Sequence, residues 1–281
     1  MNNNVPILSI VFMAISALAG IAIPVILFVI FRKKYKADIK PFFIGCGVFV
    51  LFAMILEQVL HIIVLSSDVG EIIKSNAWLF GIYGGLMAGI FEETGRFAAF
   101  KTVLKKNNEK DTNSLMYGAG HGGVEACIIL LIAMISNIVV SLMLNNQNID
   151  ILLTGAVNDA QRQALIINFE TLANTPSEHF LMALVERIAA VAIHLSLSVL
   201  VWFAAKKGGK SILLYPLAIL LHTLANAVSV ILANYVSNMW IVEGVLYLIT
   251  ACLVIIAIKV WRNHHISNCE AAENGQGDST A

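Results

Sequence analysis

The chain has 281 residues, of which 58% are hydrophobic and 13% charged, and its formal net charge is zero. Soluble domains carry about 25% charged residues, so an ordinary soluble domain is excluded, and the lack of any basic surplus argues against a nucleic-acid partner. Apolar runs of 20 residues or more recur and are continuous rather than alternating. They point to an all-α, polytopic transmembrane helical bundle and away from a β-barrel.

In chain order the hydropathy pattern predicts about seven spans, near 7–31, 41–65, 76–104, 115–144, 177–205, 211–235 and 238–261, within one integral membrane domain of residues 1–265. The opening "MNNNVPILSI" lacks a basic flank, so the first run reads as a retained span. Basic residues gather after spans one, three, five and seven: "RKKYKADIK", then Lys101, Lys105, Lys106 and Lys110, then Lys206, Lys207 and Lys210, then Lys259 and Arg262. The positive-inside bias therefore predicts an outside N-terminus and a cytoplasmic C-terminus. Trp78, Trp202, Trp240 and Trp261 fall at predicted span ends, as an interfacial aromatic belt would have them. Residues 145–176 form a long outer loop, in which "DILLTGAVNDAQRQALIINFE" suits an amphipathic surface helix or a lid. The polar tail, 266–281, reads as disordered and cytoplasmic. Cys46, Cys127, Cys252 and Cys269 show no CxxC spacing.

The spans hold ionisable residues where an apolar helix has no use for them. Each costs about 2.5–3.5 kcal/mol on insertion scales, so such groups normally face the protein interior and mark function. Glu93, His121, His194 and His222 stand 12, 11, 12 and 12 residues from Lys105, Lys110, Lys206 and Lys210. At a rise of 1.5 Å per residue that is about 16–18 Å, in the middle to cytoplasmic half of the bilayer. Four helices thus bring Glu or His to one level. Glu92 and Arg96, His121 and Glu125, and His222 and Asn226 are i,i+4 pairs; Arg187 and His194 are i,i+7. Glu57, His61 and Glu186 lie nearer the outer side. Four glycines surround His121 in "YGAGHGG", which allows either close helix packing or a local helix break.

A carboxylate, imidazoles and a carboxamide at one depth suit water activation and oxyanion stabilisation. Arg96, one turn from Glu92, would hold that carboxylate ionised.

The motifs "EETGR", "YGAGH" and "HTLAN" resemble, in order, those of the CAAX prenyl protease and bacteriocin-processing superfamily of intramembrane peptidases. More closely, "FEETGR…MYGAGHGGVEA…ERIAAVAIHLSLSVL…HTLAN" is similar to the YhfC family within that glutamic-type group, from the third span through the sixth. The resemblance implies an intramembrane endopeptidase that needs no cofactor. Glu92 would be the general base, His121 would share its water, and His222 with Asn226 would form the oxyanion hole. Glu93 and Arg96 would tune or support the base; Glu125, Arg187 and His194 are further supporting residues. Two departures stand out. Arg96 follows the first glutamate by four residues where the superfamily has five, a turn of about 100° around the helix. Tyr117 replaces a phenylalanine. The substrate would be a membrane-embedded or lipidated peptide in the lipid bilayer of a bacterial plasma membrane.

Two other chemistries fit the same residues. A zinc peptidase could draw ligands from His121, Glu125, His194 and His222 with Glu92 as base, although "HGGVE" is only half of a zinc-helix motif. A proton-coupled transporter or a scaffold would also use buried Glu and His.

Overall fold

The computed structural model describes the backbone of residues 4–276 and the side chains of residues 4–264. Among the described residues it is helical, without strands. The helices are α1 (Ile7–Lys33), α2 (Lys40–Leu65), α3 (Asp68–Ser75), α4 (Ala77–Lys101), α5 (Thr112–Asn145), α6 (Ile149–Leu153), α7 (Asp159–Asn174), α8 (His179–Lys207), α9 (Leu214–Tyr235) and α10 (Met239–Gln276). Two of them carry π-helical stretches, Val50–Glu57 in α2 and Cys127–Ile132 in α5.

Six helices are long and apolar enough to cross a membrane: α1, α2, α5, α8, α9 with its 3₁₀ lead-in, and α10 as far as His264. The stretch expected as the third span forms a 25-residue helix, α4, which is not among these six. Glu92, Glu93 and Arg96 dilute its apolar character below that of the other six.

Local chemistry sets several boundaries. Asn76 caps α4, its Oδ1 accepting from the N–H groups of Trp78 and Leu79 at 2.9 and 3.2 Å. Asn158 caps α7 by accepting from Gln161 N–H at 2.9 Å. That helix falls within the stretch expected to be amphipathic, and it buries Phe169. Pro24 lies inside α1, where lipid-facing helices tolerate it. The α1–α2 connection is tied down by Asp38, which accepts from Lys110 at 2.7 Å and Asn113 at 2.9 Å. Lys110 and Asn113 hold the Asp38 carboxyl below the usual carboxylate range. Helix α10 continues to Gln276, so the part of the expected disordered tail from 266 to 276 is helical backbone, where "CEAAE" supplies helix-forming residues; residues 277–281 lie outside the described ones.

The chain divides into two compact units, Met1–Ile26 with Val124–Ile188, and Leu27–Gly123 with Ala189–Ala281. The first unit packs Met13, Ala17, Met134, Leu144, Phe169 and Phe180 into its core. Ser16 donates to the Phe180 carbonyl at 2.6 Å, and Asn145 bonds both backbone groups of Val5. The second unit is built on a cluster that includes Phe100, Tyr117, Leu197, Leu200, Trp202 and Phe203.

Trp202 departs from the aromatic-belt expectation. It is buried, and its Nε1–H donates to Asp111 at 2.9 Å. A buried indole needs such an acceptor, and Asp111 supplies it from a residue 91 positions away.

Candidate functional site

All the residues of the site belong to the second unit. Helix α4 carries Glu92, Glu93 and Arg96, α5 carries His121, α8 carries His194, and α9 carries His222 and Asn226.

Glycines bring these helices to backbone contact. A Cβ on Gly85 would stand 2.5 Å from the Thr223 carbonyl oxygen, and one on Gly89 would stand 2.8 Å from that of Ile219, so α4 lies directly on α9. A Cβ on Gly120 would meet the Phe42 carbonyl oxygen at 1.9 Å, and one on Gly45 would meet that of Tyr117 at 2.3 Å, which seats α5 on α2. On another side of α5, Gly118 and Gly122 make room for α8. A Cβ at 122 would lie 3.0 Å from that of His194. The helix is continuous through "YGAGHGG" (Thr112–Ala126), so these glycines serve close packing rather than a helix break.

The charged and imidazole groups are enclosed. Glu92 is 6% exposed, His194 3%, His222 2%, and Glu93, Arg96 and His121 are fully buried. His121 Nε2 lies 2.8 Å from Glu92 Oε2, and His194 Nδ1 lies 3.8 Å from the same oxygen. His222 Nδ1 lies 2.8 Å from Glu93 Oε1. Arg96 grips both oxygens of Glu93 through Nη1, and its Nη2 is 3.2 Å from His194 Nδ1. The rings of His121 and His194 are 5.0 Å apart and those of His194 and His222 5.4 Å. His194 therefore stands between the other two histidines, a place its sequence neighbours did not announce.

The arginine assignment is corrected. Arg96 pairs with Glu93 at i,i+3 and not with Glu92 at i,i+4. Both spacings share a face, so helical periodicity alone does not choose between them. Glu125, weighed as a zinc ligand or as a partner of His121, instead accepts from Arg187 Nη1 at 2.5 Å within the first unit, where Arg187 also binds Glu186. Glu57 and His61 form their expected i,i+4 pair at 3.1 Å, extended by Tyr83 at 2.9 Å from the other ring nitrogen. Asn226 is half-buried.

Sequence reasoning underrated Tyr117. It is fully buried, the Arg96 guanidinium carbon lies 5.9 Å from its ring centre, and its ring stacks on His121 at 5.9 Å. Its position four residues before His121 was the available signal. Glu243, in the first turns of α10, is also buried.

Glu92, His194 and His222 each offer one ligand atom, and these atoms lie within 4.8 Å of one another. Three observations bear on whether a metal suits them. The donors are one carboxylate and two imidazoles, a borderline set of the type zinc takes. Glu93 engages Nδ1 of His222; when that nitrogen carries the proton, the Nε2 lone pair is left for a ligand, as outer-shell carboxylates do for ligating histidines. Finally, two buried glutamates stand beside one buried arginine, so with both carboxylates ionised and the imidazoles neutral the enclosure would hold one negative charge in excess. The donor types fit a divalent cation, and Arg96, whose Nη2–H donates to His194 Nδ1, would have to release that nitrogen for it to ligate.

Six helices long and apolar enough to cross a membrane, closed around a carboxylate and imidazole cluster, mark an integral membrane protein. Residues 19–246 match the family model described as YhfC intramembrane metalloprotease, and the chain belongs to that family. It is 38% identical over 257 residues to the "Uncharacterized membrane protein YhfC" of Bacillus subtilis (strain 168), across 90% of this chain and 97% of that relative. No solved structure matches it.

Proposed function

We propose that this chain is a metal-dependent intramembrane endopeptidase in which Glu92, His194 and His222 hold one zinc-like ion. The observation that carries the reading is the set of three buried donors within 4.8 Å of one another, enclosed with a second glutamate and one arginine. The family description agrees with it better than with a metal-free glutamate mechanism. When bound, such an ion supplies Lewis-acid polarisation of the scissile carbonyl and lowers the pKa of a water.

The remaining work falls to the chain. Glu93 fixes the His222 ring, and Arg96 balances Glu93. Glu92 Oε2 and His121 Nε2, 2.8 Å apart, share a proton site that takes a proton from water and returns it to the leaving amine. Asn226, one turn beyond His222, donates to the developing oxyanion, a role His222 gives up when it serves as a ligand. The same Glu92–His121 contact favours the second reading, a glutamate and histidine pair that activates water unaided.

We further infer that α4 is a seventh span, since 25 residues reach about 37 Å across a core of about 30 Å. The basic loops support an outside N-terminus, a cytoplasmic C-terminus and residence in a bacterial plasma membrane. Motif order supports the wider kinship with the CAAX prenyl protease superfamily. A membrane-embedded or lipidated peptide is the substrate class that suits an enclosed site.

The test is metal analysis of the detergent-purified protein together with cleavage of a pool of transmembrane and lipidated peptides. Near-stoichiometric metal, with cleavage removed by a chelator and restored by zinc, is the expected result. Chelator-insensitive cleavage that Glu92→Gln abolishes would move the assignment to the metal-free mechanism. Absence of both metal and cleavage, with uptake driven by a pH gradient in proteoliposomes, would make the protein a transporter.

A further inference from the structure

A second polar concavity lies at the lysine-bearing ends of α4 and α8. It measures about 200 Å³ and is lined by Phe100 and Lys101 of α4, Lys105 and Asn108 of the following turn, and Trp202 and Lys206 of α8. Three lysines therefore contribute to the wall of one small space. Lys206 Nζ is 2.6 Å from Asp111 Oδ1, the oxygen that also accepts from Trp202, and Asp111 is 5% exposed. Lys206 is thus held in place by a buried carboxylate. Lys101 lies 5.8 Å from the Phe97 ring centre. Neither Lys101 nor Lys105 has a carboxylate partner among the described residues. Asp111 offsets one of the three cations and leaves a surplus of two.

Like charges gathered around a pocket repel one another, and the repulsion grows as water leaves. An anion relieves it. The size and donor set select the anion. With Lys206 engaged by Asp111, Lys101, Lys105 and the Asn108 carboxamide remain as donors, and the oxygens of a phosphate, spread around a tetrahedral centre, can meet them from several sides. Lysine binds phosphate as a point charge and needs no bidentate geometry. The ring edges of Phe100 and Trp202 provide an apolar wall for the carbons of an ester. Basic pockets at the cytoplasmic ends of membrane helices are where anionic headgroups dock.

We propose that this pocket binds the phosphate group of an anionic ligand, an anionic phospholipid headgroup or a free phosphate. The site is separate from the Glu92–His194–His222 centre and does not rest on its metal.

The full chain, purified in detergent, would be compared with a Lys101→Gln, Lys105→Gln double variant and with a Lys33→Gln, Lys34→Gln control that removes two cations elsewhere. Native mass spectrometry would count retained phosphatidylglycerol against phosphatidylcholine, and thermal unfolding would be followed with and without millimolar inorganic phosphate. The wild type and the control are expected to retain phosphatidylglycerol on the order of tenfold more strongly than the double variant, with no such difference for phosphatidylcholine. That outcome identifies a lipid headgroup. A phosphate-dependent rise in unfolding temperature that the double variant loses, without any lipid preference, identifies a soluble phosphate. Equal phosphatidylglycerol retention by all three proteins, with no phosphate effect specific to the pocket, overturns the proposal. So does equal loss of retention in the control, because it would make the effect one of general charge.

Discussion

In each unit an arginine stands among apolar helices beside two glutamates, and the two sets are resolved differently. In the first unit Arg187 binds Glu125 and Glu186, and the surplus carboxylate, Glu186, is 39% exposed in its side chain. In the second unit Arg96 binds Glu93 alone, and the surplus carboxylate, Glu92, is 8% exposed and faces two imidazoles. The charge count is the same. The first set discharges its excess to its surroundings, and the second encloses it. On the proposed reading an enclosed excess calls for a cation, and burial rather than residue type would separate a helix fastener from a metal centre.

The sharpest way to break this comparison is to remove the donors. Glu92→Gln, His194→Ala and His222→Ala should each bring bound metal from about one per chain to below about a hundredth of wild-type affinity, and peptide cleavage should disappear. Arg187→Met should leave both untouched. Metal analysis and a cleavage assay on the four proteins decide the matter, and metal retained in His194→Ala would refute the ligand assignment.

Stability provides the next test. Arg96→Met strands Glu93 in full enclosure and should cost about 3–5 kcal/mol, while Arg187→Met, whose partners are partly exposed, should cost on the order of 1 kcal/mol. Equal shifts in thermal unfolding would erase the distinction between the two sets.

A smaller effect is expected of Gly122→Ala. Its new Cβ would press on His194 at 3.0–3.3 Å, and the ring would have to move by tenths of an ångström. Metal affinity should fall about tenfold with little change in unfolding temperature, readable by competition with a graded chelator.

The smallest effect belongs to Asp38, outside the spans. Its carboxyl is held below the ordinary value of 3.8 by Lys110 and Asn113, so its contribution is present above that value and is lost as pH falls through the lower folded-state value. Asp38→Asn should cost less than about 1 kcal/mol at neutral pH, given the exposure of the pair, and its difference from wild type should vanish in acid. A difference that persists at low pH would assign the effect to lost hydrogen bonds.

Much of this was legible in the sequence because a membrane penalises stray charge. Counting from Lys105, Lys110, Lys206 and Lys210 brought Glu93, His121, His194 and His222 to one level, and the fold packs these side chains into one cluster. Which glutamate takes Arg96 was not legible, because i+3 and i+4 share a face and the choice depends on His222 reaching Glu93 from another helix. Glu125 was misread for a similar reason. It shares a helix with His121, and its partner Arg187 lies 62 residues further on. Trp202 looked like a lipid-facing anchor, and nothing near it in sequence disclosed Asp111. In each case the deciding partner came from a distant segment.

The glycine contacts around α5 carry a warning for genetics. Gly45 and Gly120 have no side chain to offer a reaction, yet an added Cβ would stand 2.3 and 1.9 Å from carbonyl oxygens, which leaves no room for even one carbon. In a mutational scan scored by activity alone, such positions would fall silent alongside the ligands and be mistaken for them. Separating the two groups takes a measure of how much folded protein each variant leaves in the membrane.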